Sequence, residues 1–234
     1  MSEAFPEVAA RVAEIRGRIA AAVARGGHRQ AVRLIAVTKT HGPEAVEAAW
    51  AAGLTDVGEN KVQEALGKQE ALRDAPCTRG GIRWHLIGHL QSNKAKALPH
   101  FALFHALDRE SILAAADAVG RKAHPLPVLL QVNISGEATK GGYALADVAG
   151  VAERLQPCVG LSVRGVMTMA PFDAPERVLR EVFQGARAAR EILAAAGHPA
   201  TELSMGMSGD YEIAVEEGAT LVRLGAVLFG ERGR

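Results

Sequence analysis

The chain has 234 residues, of which 48% are hydrophobic and 23% are charged, and its formal net charge is +1. This is the composition of an ordinary globular protein with a sizeable core, and the charge gives no drive toward nucleic acid or an anionic membrane. The two cysteines, Cys77 and Cys158, form no CxxC pair, so they offer neither a disulfide framework nor a zinc site.

The sequence favours a cytoplasmic protein with one domain over residues 1–234. The first seven residues carry two acids and lack the basic-then-apolar order of a secretory signal. No apolar run approaches the ~20 residues that a membrane span needs. No low-complexity or Pro/Gly/Ser-rich linker interrupts the chain.

Helical and strand-like patterns alternate along the chain. An Ala-rich amphipathic helix is predicted over Pro6–Arg25 and is expected to pack outside the first strand–helix unit. The predicted strands are Arg33–Lys39, Leu54–Glu59, Arg83–Gly88, Ala102–Leu107, Val128–Ile134, Ser162–Met167, Glu202–Met207 and Leu221–Phe229. The later helical patterns are Glu44–Ala52, Lys61–Arg73, Glu110–Gly120, Ala144–Leu155, Pro175–Ala196 and Tyr211–Glu217.

This alternation indicates parallel βαβ units, and eight strands match a (β/α)8 barrel. A doubly wound open sheet is the competing architecture, because periodicity does not show whether a sheet closes. No GxGxxG follows the first strand, where a dinucleotide-binding open sheet would need one. We therefore predict a single α/β domain, a (β/α)8 TIM-type barrel with an extra N-terminal helix.

A lysine ends the first predicted strand. Lys39 follows the apolar run Leu34–Val37 and Thr38, and burying an ammonium group is costly unless something employs it. One use is a Schiff base, in which a lysine with a lowered pKa attacks an aldehyde. The alternative is a side chain that reaches solvent or pairs with a nearby carboxylate.

Small and hydroxyl-bearing residues lie in the last two predicted units. Leu203–Asp210 reads LSMGMSGD, and Val222–Gly225 brings an arginine and a glycine out of the final strand. Small residues let backbone amides approach an anion, and barrels often bind phosphate after their seventh and eighth strands. A helix cap at Ser208 and a tight turn at Gly225 are the alternative interpretation.

A ligand that carries both an aldehyde and a phosphate would satisfy the lysine and the phosphate loops together. Pyridoxal 5′-phosphate (PLP) is the obvious such ligand, and Arg223 would then be available to its pyridine nitrogen. A guanidinium donates but does not readily lose a proton, so it leaves that nitrogen unprotonated and the ring a weaker electron sink.

Several blocks in the right order make the chain resemble the pyridoxal phosphate homeostasis proteins, relatives of the N-terminal barrel of alanine racemase. The resemblance runs from about Arg33 to Arg232. Its blocks are AVTK from Ala36, GENKVQE from Gly58, WHLIGHLQSNK from Trp84, VNI from Val132, KGG from Lys140, GVM from Gly165, LSMGMS from Leu203 and VRLG from Val222.

The resemblance implies a barrel that holds PLP as a Schiff base on Lys39 and acts in intracellular PLP (vitamin B6) homeostasis. No catalytic residue and no metal ligand is assigned. The cofactor-binding residues predicted by motif matching are Lys39, Asn60, His85, Asn133, Met167, Ser204, Ser208, Gly209, Arg223, Gly225 and Ala226.

The matching also divides this set by role. Ser204, Ser208 and Gly225 are expected to hold the phosphate, assisted by backbone amides near Gly209 and Ala226. The arginine of the last strand is expected to face the pyridine nitrogen, and the remaining members, apart from the lysine, to line the ring and its surroundings.

Three positions depart from the family's pattern. Ala226 stands where the family often has threonine, so one hydroxyl contact to phosphate would be replaced by the amide alone. Lys61 stands where an aromatic or other residue is often found, and His89 where proline is often found. None of these changes removes a residue that the predicted site requires.

The resemblance implies apo-forms of PLP-dependent enzymes as acceptors. The net charge and the short apolar runs indicate no nucleic-acid or membrane partner, and we expect a monomer. The alternative function is a PLP-dependent amino-acid racemase. In alanine racemase the second base is a tyrosine donated across a dimer involving another domain, and neither Tyr143 nor Tyr211 matches it by motif. A barrel enzyme acting on a sugar phosphate without PLP is a third hypothesis.

Overall fold

Eight parallel strands close into a barrel in the computed structural model, which describes residues 4–137 and 139–230. The ends of the predicted domain and Arg232, the last residue of the resemblance, lie outside the described residues. Each strand pairs with the next along the chain, and β1 pairs with β8. The strands are β1 Arg33–Val37, β2 Asp56–Glu59, β3 Arg83–Leu86, β4 Leu103–Leu107, β5 Leu126–Gln131, β6 Leu161–Met167, β7 Glu202–Ser204 and β8 Leu221–Leu224. The predicted barrel is confirmed, and the open sheet is excluded.

Helices cover the outside of the barrel. They are α1 Val8–Gly26, α2 Pro43–Ala51, α3 Val62–Ala71, α4 Pro76–Arg79, α5 Glu110–Val119, α6 Val148–Leu155, α7 Glu176–Ala195, α8 Tyr211–Glu216 and α9 Ala226–Phe229. Two 3₁₀ segments, Ser92–His100 and Leu145–Asp147, lie between them. None of the helices among the described residues combines the length and apolar character that crossing a membrane requires.

The N-terminal helix α1 is amphipathic, as its sequence pattern predicts. Its inward positions recur every three or four residues and are buried, which is the spacing of one helical face. Its outward arginines reach α8, where Arg18 pairs with Glu212 and Arg25 pairs with Glu216. The helix therefore packs beside the last strand–helix unit as well as the first, next to the point where the barrel closes.

A glycine in β6 sets the close contact between β6 and β7. Gly165 has φ +150°, and a Cβ added there would lie 1.9 Å from the carbonyl oxygen of Glu202 on β7. The pairing of β5 with β6 shifts register between Val128 and Leu129, just beside this glycine. Any larger residue at position 165 would push the seventh strand away, which explains a glycine inside this strand.

Several predicted strand ends are wrong in the structure. The last strand ends at Leu224 rather than at Phe229, because Gly225 leaves the extended conformation and Ala226–Phe229 forms α9. The apolar run there buries the side chains of a short helix, a pattern that periodicity confuses with a strand. The first strand ends at Val37, two residues before Lys39.

Candidate functional site

Barrel closure brings the carboxyl ends of the first and last strands together. Ile35 of β1 is in register with Arg223 of β8, and Ala36 is in register with Leu224. Beyond them, a Cβ added at Gly225 would lie 3.4 Å from the carbonyl oxygen of Val37. The turn after β1 and the loop after β8 are therefore neighbours at one mouth.

Lys39 lies in a tight turn that follows β1 and is half-buried there. The amide of His41 donates to the carbonyl of Thr38 at 3.1 Å and closes the turn. Within it Thr40 has φ +68°, a conformation that a β-branched residue rarely adopts. The amide of Thr40 donates to Glu64 Oε1 at 2.5 Å, and this bond holds the strained residue beside the lysine.

A buried ionic cluster lies directly beneath this turn. The Lys68 cluster consists of Lys68, Glu59, Glu64 and Thr38. Lys68 Nζ donates to Glu59 Oε1 at 2.6 Å, to the Thr38 carbonyl at 2.8 Å and to Glu64 Oε1 at 3.0 Å. Burial raises the pKa of Glu59, although its bonds with Lys68 and Thr38 act in the opposite direction. The cluster ties β2 and α3 to the residues on both sides of Lys39.

Sequence reasoning did not select Lys68 as a site residue. The available signal was its i,i+4 spacing from Glu64, but that spacing is usual on exposed helix faces. Only the structure shows that Lys68 is 5% exposed and that Glu59 is 0% exposed.

A second polar network crosses the inside of the barrel. The interior polar chain consists of Asp56, His85, His105, Ser204 and Arg223, all of them buried. His85 Nε2 lies 2.8 Å from Asp56 Oδ1, and His85 Nδ1 lies 2.9 Å from His105 Nε2. His105 Nδ1 lies 2.9 Å from Ser204 Oγ, which accepts a bond of 2.7 Å from Arg223 Nη1. Because β4 and β7 are not neighbours in the sheet, their side chains meet across the barrel interior.

Burial sets the charge states along this chain. It lowers the pKa of His85, partly offset by Asp56, and it lowers the pKa of His105 further, so both rings are neutral at pH 7. Burial also raises the pKa of Asp56, but hydrogen bonds from His85 and Arg83 outweigh it and bring that pKa below its ordinary value. Burial lowers the pKa of Arg223 to about 10, so its guanidinium is a cation at neutral pH.

This geometry disagrees with two of the predicted contacts. Ser204, expected to hold phosphate, is 0% exposed, and its hydroxyl is engaged by His105 and Arg223. His85, expected to line the ring, uses both ring nitrogens inside the interior polar chain. Both side chains point into the barrel because of strand register, which the motifs did not reveal.

The loops after β7 and β8 present hydrogen-bond donors. Ser208 is half-buried, Gly209 and Ala226 are exposed, and Ser208 Oγ lies 3.5 Å from the amide of Val227, which joins the two loops. The amides of Gly209 and Ala226 donate no bond to another described residue. Gly206 has φ +93° and lets the loop pass close to α8. Backbone amides and one hydroxyl are the donor set that a phosphate prefers.

Three further predicted residues, Asn60, Asn133 and Met167, lie at or just after the carboxyl ends of their strands. Asn133 Nδ2 donates to the carbonyls of Glu137 at 2.9 Å and Lys140 at 3.0 Å, so its amide orders the loop after β5. Met167 ends β6 and is buried, whereas Asn60 follows β2 and is half-buried.

The other histidine of the third block makes its own pair. His89 Nδ1 lies 2.6 Å from Asp108 Oδ2 at the end of β4. Within the described part of the chain, no three His, Cys, Asp or Glu side chains converge as ligands of a metal ion would.

Comparisons with known proteins agree with the fold and the motifs. The family model described as the N-terminal domain of alanine racemase matches residues 12–233. A pyridoxal phosphate homeostasis protein from Pseudomonas aeruginosa is 43% identical over 99% of this chain and 96% of its own length. One from Aquifex aeolicus is 39% identical over 95% of this chain and 97% of its own length.

Solved structures give the same picture. PipY of Synechococcus elongatus, determined with PLP bound, is 36% identical and superposes with a TM-score of 0.81 over 95% of this chain and 100% of that chain. An alanine racemase from Corynebacterium glutamicum shares the fold, with a TM-score of 0.70 and 15% identity over 92% of this chain and 62% of that chain.

Replacing Lys68 by methionine should destabilise the protein. Lys68→Met leaves the charge of Glu59 buried without its cationic partner, and we expect a loss of about 3–5 kcal/mol in the free energy of unfolding, measured by urea denaturation. Lys61→Met is the matched control, because Lys61 is exposed and should tolerate the change. Equal stability of the two variants would contradict the account of the Lys68 cluster.

The two interior histidines should make stability fall in acid. Unfolded histidines titrate near pH 6.5, whereas His85 and His105 stay neutral in the fold to lower pH. Below about pH 6.5 the unfolded chain therefore binds more protons, and the free energy of unfolding falls by up to about 1.4 kcal/mol per pH unit for each ring. Urea denaturation from about pH 7 to about pH 5 measures this slope. His105→Leu should flatten it by about one proton, whereas His124→Leu, at an exposed position, should not.

The two glycines of the loop after β7 should respond differently to alanine. At Gly206 an added Cβ would lie 2.7 Å from Ala214 Cβ and 2.9 Å from Tyr211 Cα at positive φ, so Gly206→Ala should cost about 1–3 kcal/mol. At Gly209 nothing lies within 4 Å, so Gly209→Ala should stay within about 0.5 kcal/mol of the parent. Thermal unfolding compares them, and the opposite order would show that the loop has another conformation.

Proposed function

The chain belongs to the family of pyridoxal phosphate homeostasis proteins, and on that basis and from the geometry of the mouth we propose that it binds PLP and acts in PLP homeostasis. The observation that carries the proposal is the junction of β1 with β8. This junction supports the proposal, because the turn that carries Lys39 and the loop after β8 lie side by side at one mouth although they are far apart in the sequence.

The residues present fit the chemistry of PLP. When bound, PLP supplies an aldehyde that condenses reversibly with an amine, and Lys39 is the half-buried amine at the mouth. The phosphate is assigned to Ser208 and to the amides of Gly209 and Ala226, which have no other acceptor among the described residues. Gly225, which lies against Val37 at the junction with β1, is assigned to the same phosphate loop.

Arg223 is assigned to the pyridine nitrogen. Its guanidinium has five N–H donors, and its bonds to Ser204 Oγ and the Thr168 carbonyl use two of them. As a buried cation that only donates, it would leave the ring nitrogen unprotonated and limit the electron-withdrawing power of the ring. This property favours a protein that holds the cofactor over one that uses it to promote carbanion chemistry.

The other predicted residues receive supporting roles in the proposal. Ser204 and His85 support Arg223 from inside the barrel rather than contacting the ligand. Asn133 orders the loop after β5, and Asn60 and Met167 lie around the ring. Apo-forms of PLP-dependent enzymes are the proposed acceptors, since a reversible bond to a lysine amine allows release.

A loaded protein should carry its cofactor on one lysine. After incubation with excess PLP and removal of the free cofactor, we expect absorbance in the visible range and, after borohydride treatment, a pyridoxyl group on the peptide that contains Lys39. Mass spectrometry of the digest locates the group. Lys39→Ala should abolish both signals, whereas Lys61→Ala, at an exposed neighbouring position, should preserve them.

Two results would overturn parts of this proposal. Failure of the protein to retain PLP, or a pyridoxyl group only on another lysine, would contradict the assignment of Lys39. Rapid α-hydrogen exchange with racemisation of a free amino acid by the loaded protein would favour the racemase alternative.

A further inference from the structure

The interior polar chain has a direction that its two ends impose. Arg223 can only donate hydrogen bonds, so Ser204 Oγ must accept at this end. Asp56 is ionised and can only accept, so His85 Nε2 must carry a hydrogen at the other end. The hydrogen-bond directions that the two ends impose agree at every link between them.

The intermediate links follow from these ends. Ser204 uses its own hydrogen to donate to His105 Nδ1, which leaves the hydrogen of that neutral ring on Nε2. His105 Nε2 then donates to His85 Nδ1, and His85 Nε2 donates to Asp56 Oδ1. Both imidazoles are therefore the Nε2–H tautomer, and every link points from Arg223 toward Asp56.

The acceptor end of the chain is fixed at the amino-terminal ends of the strands. Asp56 begins β2 and Arg83 begins β3. Arg83 Nη2 donates to Asp56 Oδ2 at 2.6 Å and its Nε donates to Oδ1 at 2.9 Å. Thr55 Oγ1 donates to Oδ2 at 2.9 Å. These bonds favour the ionised carboxylate, so Asp56 remains an acceptor at neutral pH.

The donor end lies beneath the mouth. Arg223 is 5% exposed, and its two hydrogen bonds go to neutral oxygens, those of Ser204 and of the Thr168 backbone. A buried guanidinium that is bonded to neutral acceptors is stabilised when those acceptors are polarised and carry more negative charge. The chain supplies such polarisation, because the hydroxyl of Ser204 donates away from Arg223 toward a carboxylate.

We propose that Asp56, His85, His105 and Ser204 form a one-way hydrogen-bond relay that positions Arg223 and stabilises its charge for the ring nitrogen of PLP. The inference rests on the proposed function for its ligand, and its hydrogen-bond direction stands without it. The four residues are positioning residues, since none of them contacts the ligand. A change at Asp56, on the far side of the barrel interior, then alters how PLP is held.

The direction of the relay is tested in the PLP-free protein. Nitrogen-15 NMR of the imidazole side chains at neutral pH should show His85 and His105 as neutral Nε2–H tautomers. Asp56→Asn is the informative variant, because an amide can donate to His85 Nε2 and so reverse both rings to Nδ1–H. A wild-type Nδ1–H tautomer or an imidazolium at either histidine would overturn the relay.

Positioning of Arg223 is tested in the loaded protein. Ser204→Ala cuts the relay beside Arg223 and should raise the dissociation constant for PLP about tenfold or more and shift the visible absorbance maximum. Asp56→Asn should also raise the dissociation constant and should shift the absorbance maximum in the same direction as Ser204→Ala does. A side chain that only supports the fold would lower the melting temperature without moving the absorbance maximum.

Two control variants separate the relay from general damage. His124→Gln changes an exposed histidine outside the interior polar chain, so the absorbance maximum and the dissociation constant should stay near those of the parent. His198→Gln replaces a histidine outside the barrel interior, whose Nε2 bonds to the Ala152 carbonyl at 2.9 Å. It should likewise leave the absorbance maximum and the dissociation constant unchanged.

The outcomes distinguish the relay from the proposed function. If the wild-type protein does not bind PLP, the proposed function fails while the tautomers still decide the direction of the relay. If it binds PLP and both Ser204→Ala and Asp56→Asn behave like the controls, the positioning role is wrong. Should Ser204→Ala fail to fold, Asp56→Asn, which conserves shape, decides the same question.

Discussion

Pairing of the first strand with the last is the contact on which the candidate site depends. The register of Ile35 with Arg223 closes the barrel and sets the turn that carries Lys39 beside the loop at Gly225. Before closure these residues are separated by most of the chain, and the entropy of bringing them together is recovered only when the other strand pairs have formed. The site is thus a product of the complete barrel rather than of any single βα unit.

Two buried polar networks are costly and therefore informative. Barrel interiors are usually filled by apolar side chains. Here His85, His105 and Arg223 occupy that space, and each of them is hydrogen-bonded to a neighbouring residue of the interior polar chain. The Lys68 cluster is less complete, because Glu59 Oε2 is buried without a hydrogen-bond partner among the described residues. Both networks support residues of the mouth, Arg223 in one case and the Lys39 turn in the other.

Sequence patterns predicted the barrel because alternating strand and helix periods report local burial, and they placed most strands within a few residues of their observed ends. They failed at Ala226–Phe229, where a buried apolar run forms a helix after Gly225. Motifs assigned Ser204 to phosphate, but its hydroxyl lies inside the barrel against His105 and Arg223. Whether a strand-end side chain points into the barrel or to its mouth depends on register, which motifs do not reveal. The burial of Lys68 is a tertiary property that its helical spacing does not encode.

The central claim is that one ligand joins the turn after β1 to the loops after β7 and β8. Amide hydrogen exchange, measured with and without saturating PLP, tests it most directly. We expect slower exchange on PLP binding in the Thr38–His41 turn, at Gly209 and at Ala226 together, with little change at the amino-terminal ends of the strands. Protection confined to only one of these segments, or found mainly elsewhere on the barrel, would contradict the account.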